Sequence, residues 1–354
     1  LDNFFTGTPR LNLREQLADR YEADITVLAG YASLDFGLNK EFSGNVGVRY
    51  ERNEINVLWD VNNFVGRVGT ASSVNLKYEL NEKSFIRFAS SLTQTLPEFK
   101  EIAPFEYVSP TGRVTRGNPD LERSTTINAD FKWEYFPESG ELFSATVFYK
   151  NIQDPINLFQ TRGSAGVFSY DNTGEKATVF GVEVEGRINL IKNEDDEALL
   201  NLNANVTAMS FNQDLFPESQ FKGITESGLQ GASDLIVNGS LSYNSRTKNE
   251  FAATLTGNYA SDKIFALGSP EDFVNSDILF NDEIIEKGFV TLDLVLSKQL
   301  SEKFQIKFTG KNLLNPVIKQ TQLITPLTGA TPFNDTVLSY KRGSQVSVGL
   351  SYKF

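Results

Sequence analysis

The chain ends with residues 342–354, RGSQVSVGLSYKF, and this stretch decides the fold class. Small or polar residues alternate there with apolar or aromatic ones, which are Val346, Val348, Leu350, Tyr352 and Phe354. Side chains at every second position of a β-strand lie on one face of it. The pattern therefore predicts a strand with one apolar face. Taken alone, it fits a soluble β-sandwich as well as a membrane-spanning strand.

The same alternation recurs along the chain and predicts about thirteen strands in all. The other twelve are residues 24–36, 43–55, 71–80, 84–93, 125–136, 141–150, 178–190, 199–211, 233–245, 250–262, 288–299 and 304–315. These segments have roughly 10 to 13 residues, which exceeds the 5 to 6 typical of globular sheets and matches a strand that crosses a bilayer at a tilt. The strand lengths favour a transmembrane antiparallel β-barrel over a soluble sandwich.

The connections between these strands alternate between short turns and long loops. Outer-membrane barrels have short periplasmic turns and longer extracellular loops. We therefore place the C-terminus on the periplasmic side, interpret residues 1–22 as the end of an extracellular loop, and assign residues 23–354 to the barrel. Because bacterial single-chain barrels have an even number of strands, thirteen predicts further strands upstream of Leu1 in a longer protein.

Composition narrows the range of functions. The 354 residues include no Cys and no His, so a disulfide, a Ser-His triad and the usual zinc ligands are excluded. A net charge of −12 argues against a nucleic-acid partner. No apolar run reaches the length of about 18 residues that a transmembrane helix needs. We expect no enzyme and no metal cofactor.

Several segments resemble the TonB-dependent outer-membrane receptors, especially those of the Bacteroidota type. The segments are LPEFKEIAPFEY at 96–107, RGNPDLERS at 116–124, FYKNIQDPI at 148–156, GVEVEGRINL at 181–190 and KNLLNP at 311–316. The match departs from the family pattern at Leu96, where the family usually has Arg. It also departs at Arg123, which lies near the position where the family has an acidic residue. The terminal strand resembles the C-terminal assembly signal of outer-membrane barrels, carried here by Val346, Val348, Leu350, Tyr352 and Phe354.

The resemblance implies a 22-stranded barrel of which this chain holds the thirteen C-terminal strands, with the plug domain absent from this chain. It implies a bacterial outer-membrane location and active import of a scarce nutrient: a glycan, peptide, siderophore or cobalamin. The implied partners are TonB through the plug region, outer-membrane lipid and lipopolysaccharide, the barrel-assembly machinery and a surface lipoprotein lid. Two alternatives stay open: a non-transporting barrel that serves as scaffold, adhesin or secretion component, and a diffusion porin.

Candidate binding residues fall into two groups. Phe99, Phe105 and Tyr107 lie in a long loop, where aromatic side chains pack on a ligand or on each other. The second group is predicted to face the barrel lumen, with charges on one strand and an amide ladder on the next: Glu183, Glu185, Arg187, Asn201, Asn203 and Asn205. Amides both donate and accept hydrogen bonds, which suits sugar hydroxyls or peptide backbones. A solvated, cross-strand bonded ladder that only lines a polar interior accounts for the second group without any ligand.

The loop at residues 263–287 is rich in carboxylates, at Glu271, Asp272, Asp277, Asp282, Glu283 and Glu286. Oxygen ligands of this kind suit a structural Ca²⁺ ion. The spacing does not match an EF-hand, so an ordinary solvated acidic loop is the alternative.

Overall fold

The computed structural model describes residues 22–58, 67–103, 105–162, 166–270, 282–326 and 329–354. Strands dominate, and a four-residue α-helix, α1, occupies Phe99–Ile102. Within the described residues, no helix is long and apolar enough to cross a membrane. The strands are numbered β1 to β22 in chain order.

A fourteen-stranded antiparallel sheet, here called the main sheet, forms most of the structure. Thirteen of its strands follow one path in chain order, and each pairs with the path strands that precede and follow it in sequence. They are β1 (Glu22–Gly37), β2 (Phe42–Leu58), β3 (Arg67–Asn81), β4 (Ser84–Thr95), β7 (Ser124–Tyr135), β8 (Leu142–Gln153), β11 (Lys176–Lys192), β12 (Ala198–Asp214), β14 (Leu235–Asn244), β15 (Phe251–Ala260), β18 (Phe289–Ser301), β19 (Phe304–Lys311) and β22 (Gln345–Tyr352). The short β13 (Glu226–Ser227) pairs with β12.

These strands match the thirteen segments predicted from the alternation, with differences at the ends. The two largest differences are four residues each: β3 begins at Arg67 rather than at residue 71, and β19 stops at Lys311 rather than at residue 315. Asn312 and Asn315 have φ values of 53° and 41°, so the backbone turns there instead of staying extended.

The register places apolar residues of neighbouring strands side by side on one face of the main sheet. Val184 on β11 lies opposite Ala145 on β8 and Val206 on β12, and Val206 lies opposite Val237 on β14. Val184 is 56 % exposed in the isolated chain. An apolar face that stays uncovered suits lipid contact.

Two smaller four-stranded sheets lie in the long connections. One has the order β5-β6-β10-β9, and the other has the order β16-β17-β20-β21. Their strands are β5 (Glu106–Val108), β6 (Val114–Arg116), β9 (Ile156–Gln160), β10 (Val167–Asn172), β16 (Lys263–Ala266), β17 (Ile284–Glu286), β20 (Ile318–Ile324) and β21 (Phe333–Tyr340). We call the described residues of the long connections the loop cap; they are 96–103, 105–123, 154–162, 166–175, 215–234, 261–270, 282–288, 312–326 and 329–344.

The buried apolar side chains are concentrated in the loop cap. One cluster joins Leu158, Phe168, Ala266 and Ile284, and a second joins Leu215, Phe221, Ile264 and Leu267. A third cluster ties Ile102 and Leu121 to Ile55 of β2. Most of the buried apolar side chains in the described residues therefore belong to the loop cap and not to the main sheet.

Arg113 connects the two small sheets. Its guanidinium group lies 4.8 Å from the ring centroid of Phe168 on β10 and 4.2 Å from that of Phe265 on β16. It also donates a 2.7 Å hydrogen bond to Gln320 on β20. Burial lowers the pKa of Arg113 from its ordinary value. Stacking on two rings offsets part of the cost of burying this charge.

Candidate functional site

A cavity of about 670 Å³ opens within the loop cap. This volume falls in the range of pockets that hold small organic ligands. Segments from several connections line it: Arg116, Gly117, Asn118, Pro119, Asp120, Phe159, Thr161, Arg162, Ser169, Asp171, Thr173, Glu218, Ser219, Leu267 and Pro270.

Residues 116–121, RGNPDL, form one wall of the cavity through a tight turn. The side-chain oxygen of Asn118 accepts a 3.0 Å hydrogen bond from the backbone N–H of Asp120, which closes an Asx turn. The backbone N–H of Asn118 donates a 2.6 Å hydrogen bond to the carbonyl oxygen of Glu101. A side chain at Gly117 would collide with the backbone of Ala103, so only glycine allows this approach.

Side-chain contacts fix this turn against β10. The amide nitrogen of Asn118 donates to the carbonyl oxygen of Tyr170 at 3.1 Å and to the Asp171 carboxylate at 3.4 Å. Leu121, 1 % exposed, packs in the cluster with Ile102. The turn is thus anchored from both sides, and the cavity wall is held in place.

A buried polar network holds the segment that carries Thr173, another lining residue. The amide nitrogen of Asn157 donates to Thr173 Oγ1 at 2.7 Å and to Gln213 Oε1 at 2.9 Å. Gln213 in turn donates to the carbonyl oxygen of Gly228 at 3.0 Å. These bonds connect β9, β12 and the chain after β10, so the network fixes the relative positions of three elements next to the cavity.

Charged residues of opposite sign occupy different parts of the cavity wall. Burial raises the pKa of Asp171, and the neighbouring carboxylates of Glu218 and Asp120 raise it further. Arg116 lies on β6, opposite Ser169 of β10. Arg162 is held by a 2.9 Å hydrogen bond from its Nε to the carbonyl oxygen of Pro270. The wall can therefore contact anionic and cationic groups of one ligand at separate points.

The three aromatic residues predicted from the loop sequence do not line this cavity. Phe99 begins α1 and is 39 % exposed, whereas Phe105 is partly buried just before β5. The hydroxyl groups of Tyr107 and Tyr170 lie 3.5 Å apart, and burial raises the pKa of Tyr170. Tyr107 therefore contacts β10, which is the strand that carries Asp171. A direct role of these residues in substrate binding stays a prediction.

The predicted charge and amide ladder lies together on the face opposite the apolar one. Arg187 Nε donates to Asn203 Oδ1 at 2.8 Å, and Asn238 Nδ2 donates to Asn205 Oδ1 at 2.8 Å. Thr207 donates to Glu183 at 2.8 Å. The remaining members, Glu185 and Asn201, lie in register with Asn205 and Asn189. Cross-strand bonds thus link most of the ladder, and lumen exposure stays a prediction.

A small cavity of about 140 Å³ lies on the same polar face. Its lining includes Glu185, Asn203, Asn205, Asn238 and Thr256. The polar ladder thus retains one recess beside its cross-strand bonds.

The terminal strand pairs with β19 over its whole length. Val346, Val348, Leu350 and Tyr352 lie opposite Gly310, Phe308, Ile306 and Phe304, which extends the apolar face. Phe354 lies beyond the strand, and its ring packs edge-on against that of Tyr352 at 5.3 Å. The role of these residues as an assembly signal stays a prediction.

Part of the acidic loop lies outside the described residues, namely Glu271, Asp272 and Asp277. Asp282 forms a 2.9 Å ion pair with Lys222, and Glu286 forms a 3.2 Å ion pair with Lys263. In the described ranges, no group of three or more Asp and Glu side chains is arranged to hold a metal ion. A structural Ca²⁺ ion stays a prediction.

Several cavity residues were not predicted as site residues. The segment RGNPDLERS carried part of the family resemblance, and its turn-forming residues Asn118-Pro119-Asp120 form a turn in the structure. Its place in a cavity wall depends on Arg162, Asp171 and Glu218, which come from other connections. Each of these residues is an ordinary loop residue when the sequence is considered alone.

The family model for the TonB dependent receptor-like β-barrel matches residues 2–313. The chain belongs to this family. Its membership confirms the predicted family, the antiparallel barrel fold and the bacterial outer-membrane location. The family is one of receptors and transporters. Curated protein sequences contain no match to the chain.

Solved structures of other TonB-dependent proteins share the fold. The ferric yersiniabactin uptake receptor FyuA from Yersinia pestis is 15% identical, with a TM-score of 0.56, and the match covers 94% of this chain and 46% of that one. The FrpB iron transporter from Neisseria meningitidis is 14% identical, with a TM-score of 0.57 and coverage of 95% and 46%. The copper transporter OprC is 14% identical, with a TM-score of 0.62 and coverage of 94% and 48%. The chain spans about half the length of these structures.

Proposed function

We propose that the protein imports a scarce nutrient across the outer membrane by TonB-dependent active transport. The observation that carries this proposal is the cavity of about 670 Å³ within the loop cap. It lies at the end of the main sheet where the long connections meet, which is the extracellular end in outer-membrane barrels. Such a cavity is placed to capture a solute before it enters the barrel.

The two faces of the main sheet support the same proposal. The apolar face suits lipid, and the polar face with its ladder of amides and charges suits an interior through which a hydrophilic solute passes. The similar structures include a ferric yersiniabactin uptake receptor, an iron transporter and a copper transporter. We therefore include chelated metals among the nutrient classes, together with glycans, peptides and cobalamin.

The proposed mechanism needs partners beyond this chain. A plug would close the barrel, and TonB would act on the plug to release the captured solute inward. A surface lipoprotein lid, lipopolysaccharide and the barrel-assembly machinery complete the proposed set of partners. Among these proposed partners, family membership supports TonB.

An uptake panel tests the proposed function. Cells that express the receptor, cells that lack it and cells that lack TonB are each supplied with labelled ferric chelates, cobalamin, oligosaccharides and oligopeptides. We expect one class to accumulate only when both the receptor and TonB are present. Uptake that needs the receptor but not TonB would identify a diffusion porin. Absence of any receptor-dependent uptake would favour a non-transporting barrel.

A further inference from the structure

The cavity in the loop cap is lined by charged side chains that have no partner among the described residues. Within the described residues, the side chains of Arg116, Asp120 and Glu218 form no hydrogen bond and no ion pair, yet all three line the cavity. Some other charges of the loop cap are paired, for example Lys222 with Asp282 and Lys287 with Asp262. All three side chains are exposed, so a charged ligand that enters the cavity can reach them.

The opposite charges are arranged in order along β10. Thr161, next to Arg162, donates a 3.0 Å backbone hydrogen bond to Val167 at the start of this strand. Arg116 lies opposite Ser169 in the middle, and Asp171 lies near the end of the strand. Residues 167 and 171 are about 13 Å apart along an extended strand, and residues 169 and 171 are about 7 Å apart.

The acidic end is a group rather than a single residue. Asp120 and Glu218 lie close enough to Asp171 to raise its pKa beyond the effect of burial. Three carboxylates that repel one another favour a cationic group between them. The arginine end lacks a carboxylate partner in the described structure and favours an anionic group. The apolar side chains of Phe159 and Leu267 also line the cavity.

We infer that this cavity binds short peptides with free termini, with the peptide carboxylate at Arg116 and Arg162 and the peptide ammonium at Asp120, Asp171 and Glu218. An extended peptide of two to four residues is about 7 to 14 Å long, which matches the separation of the two charged ends. An apolar central side chain would contact Phe159 and Leu267. This inference rests on the proposed uptake function and names its substrate class.

Calorimetric titration of the receptor, purified in detergent from outer membranes, tests this inference. The probes are the tripeptide Ala-Phe-Ala with free termini, its N-acetylated form and its C-amidated form. We expect the free peptide to bind and each capped form to bind about tenfold more weakly, because each cap removes one charge-assisted contact. Equal affinity for the three forms, or absence of binding by the free peptide, would overturn the inference.

Two variants assign the ends of the peptide. Arg116→Gln should weaken binding of the free and N-acetylated peptides about tenfold and leave the amidated peptide unaffected. Asp120→Asn should weaken binding of the free and amidated peptides and leave the N-acetylated peptide unaffected. The matched controls are Arg342→Gln and Asp335→Asn, which change exposed residues of the loop cap outside the cavity. A variant that weakens all three forms equally would contradict the assigned orientation.

The uptake panel separates a failure of this inference from a failure of the proposed function. TonB-dependent uptake of a ferric chelate or a glycan, with no peptide uptake, would preserve the proposed function and refute the peptide assignment. Peptide binding with the predicted dependence on both termini, but without TonB-dependent uptake, would preserve the binding site and refute active transport.

Discussion

The main sheet and the loop cap use apolar side chains in opposite ways. In the main sheet, residues such as Val184, Leu255 and Leu350 are 40 to 64 % exposed and lie on one apolar face. In the loop cap, residues such as Phe221 and Leu267 are buried almost completely against one another. The main sheet is thus adapted to contact lipid. The loop cap instead folds around a buried apolar core of its own, as a water-soluble domain does.

The largest expected effect follows from removing the core of the cap. Phe221 is fully buried among Leu215, Ile264 and Leu267, so Phe221→Ala should destabilise the loop cap by about 3–5 kcal/mol. Hydrogen exchange should show loss of protection in the cap and none in the main sheet. Phe333→Ala is the control, since Phe333 lies in the cap but is 51 % exposed. Equal loss of protection in the main sheet would show that the two regions unfold as one.

The second prediction uses neighbouring residues that point to opposite faces of β15. Leu255 lies between Leu241 and Leu294, whereas Thr256 lies between Ser240 and Asp293. Leu255→Arg places a charge on the lipid face near mid-strand and should cost about 2–4 kcal/mol, and Thr256→Arg should cost far less. Urea titration of the receptor folded into phospholipid vesicles measures both. Equal costs would reject the assignment of the faces.

The third prediction compares a glycine of the loop cap with a glycine of the main sheet. Gly117→Ala brings a methyl group against the backbone of Ala103 and should cost about 1–3 kcal/mol. Gly239→Ala on β14 meets its nearest atom only at 3.9 Å and should change stability by less than about 0.5 kcal/mol. Rates of proteolysis in the cap measure the first effect, and urea titration measures the second. An unaffected Gly117→Ala variant would show that the turn at residues 116–121 can shift.

The smallest expected effect is a pH dependence confined to the cap. Burial and the adjacent Asp282 raise the pKa of Glu283. A raised pKa in the folded state favours the protonated form, so this contribution to cap stability is present at pH below the ordinary Glu value and is lost as pH rises through the raised value.

Glu283→Gln should therefore flatten this part of the profile and protect the cap at neutral pH. Hydrogen exchange of cap amides between about pH 4 and about pH 7 measures the effect. The control is Glu302→Gln, which removes an exposed charge in the turn between β18 and β19. A profile that Glu283→Gln leaves unchanged would assign the pH dependence to other groups.

The main sheet could be predicted from the sequence because the alternation of apolar and polar residues is a local signal. Each of the thirteen path strands carries its own alternation of apolar and polar residues, and each pairs with the next strand in the path. The prediction extended β19 too far because the backbone turns at Asn312, where φ is positive.

The cap and its cavity could not be predicted in the same way. The strands β5, β6 and β17 have three residues each, too few to show an alternation. The strand β5 pairs with the nearby β6, but β6 also pairs with β10, which lies far away in sequence. The cavity unites Asp120, Arg162 and Glu218, whose proximity depends on that long-range pairing. The turn at Asn118, by contrast, is a local feature, because an Asx turn needs only adjacent residues.

The contact between Arg113 and Gln320 has a consequence for the order of folding. It joins residues 207 positions apart, whereas each hairpin of the main sheet closes between consecutive segments. Closing a long loop costs more entropy than closing a short one, and contacts between distant residues form late. We therefore expect the main sheet to form hairpin by hairpin. We expect the cavity to become competent for binding only after Arg113 has packed against Phe168 and Phe265.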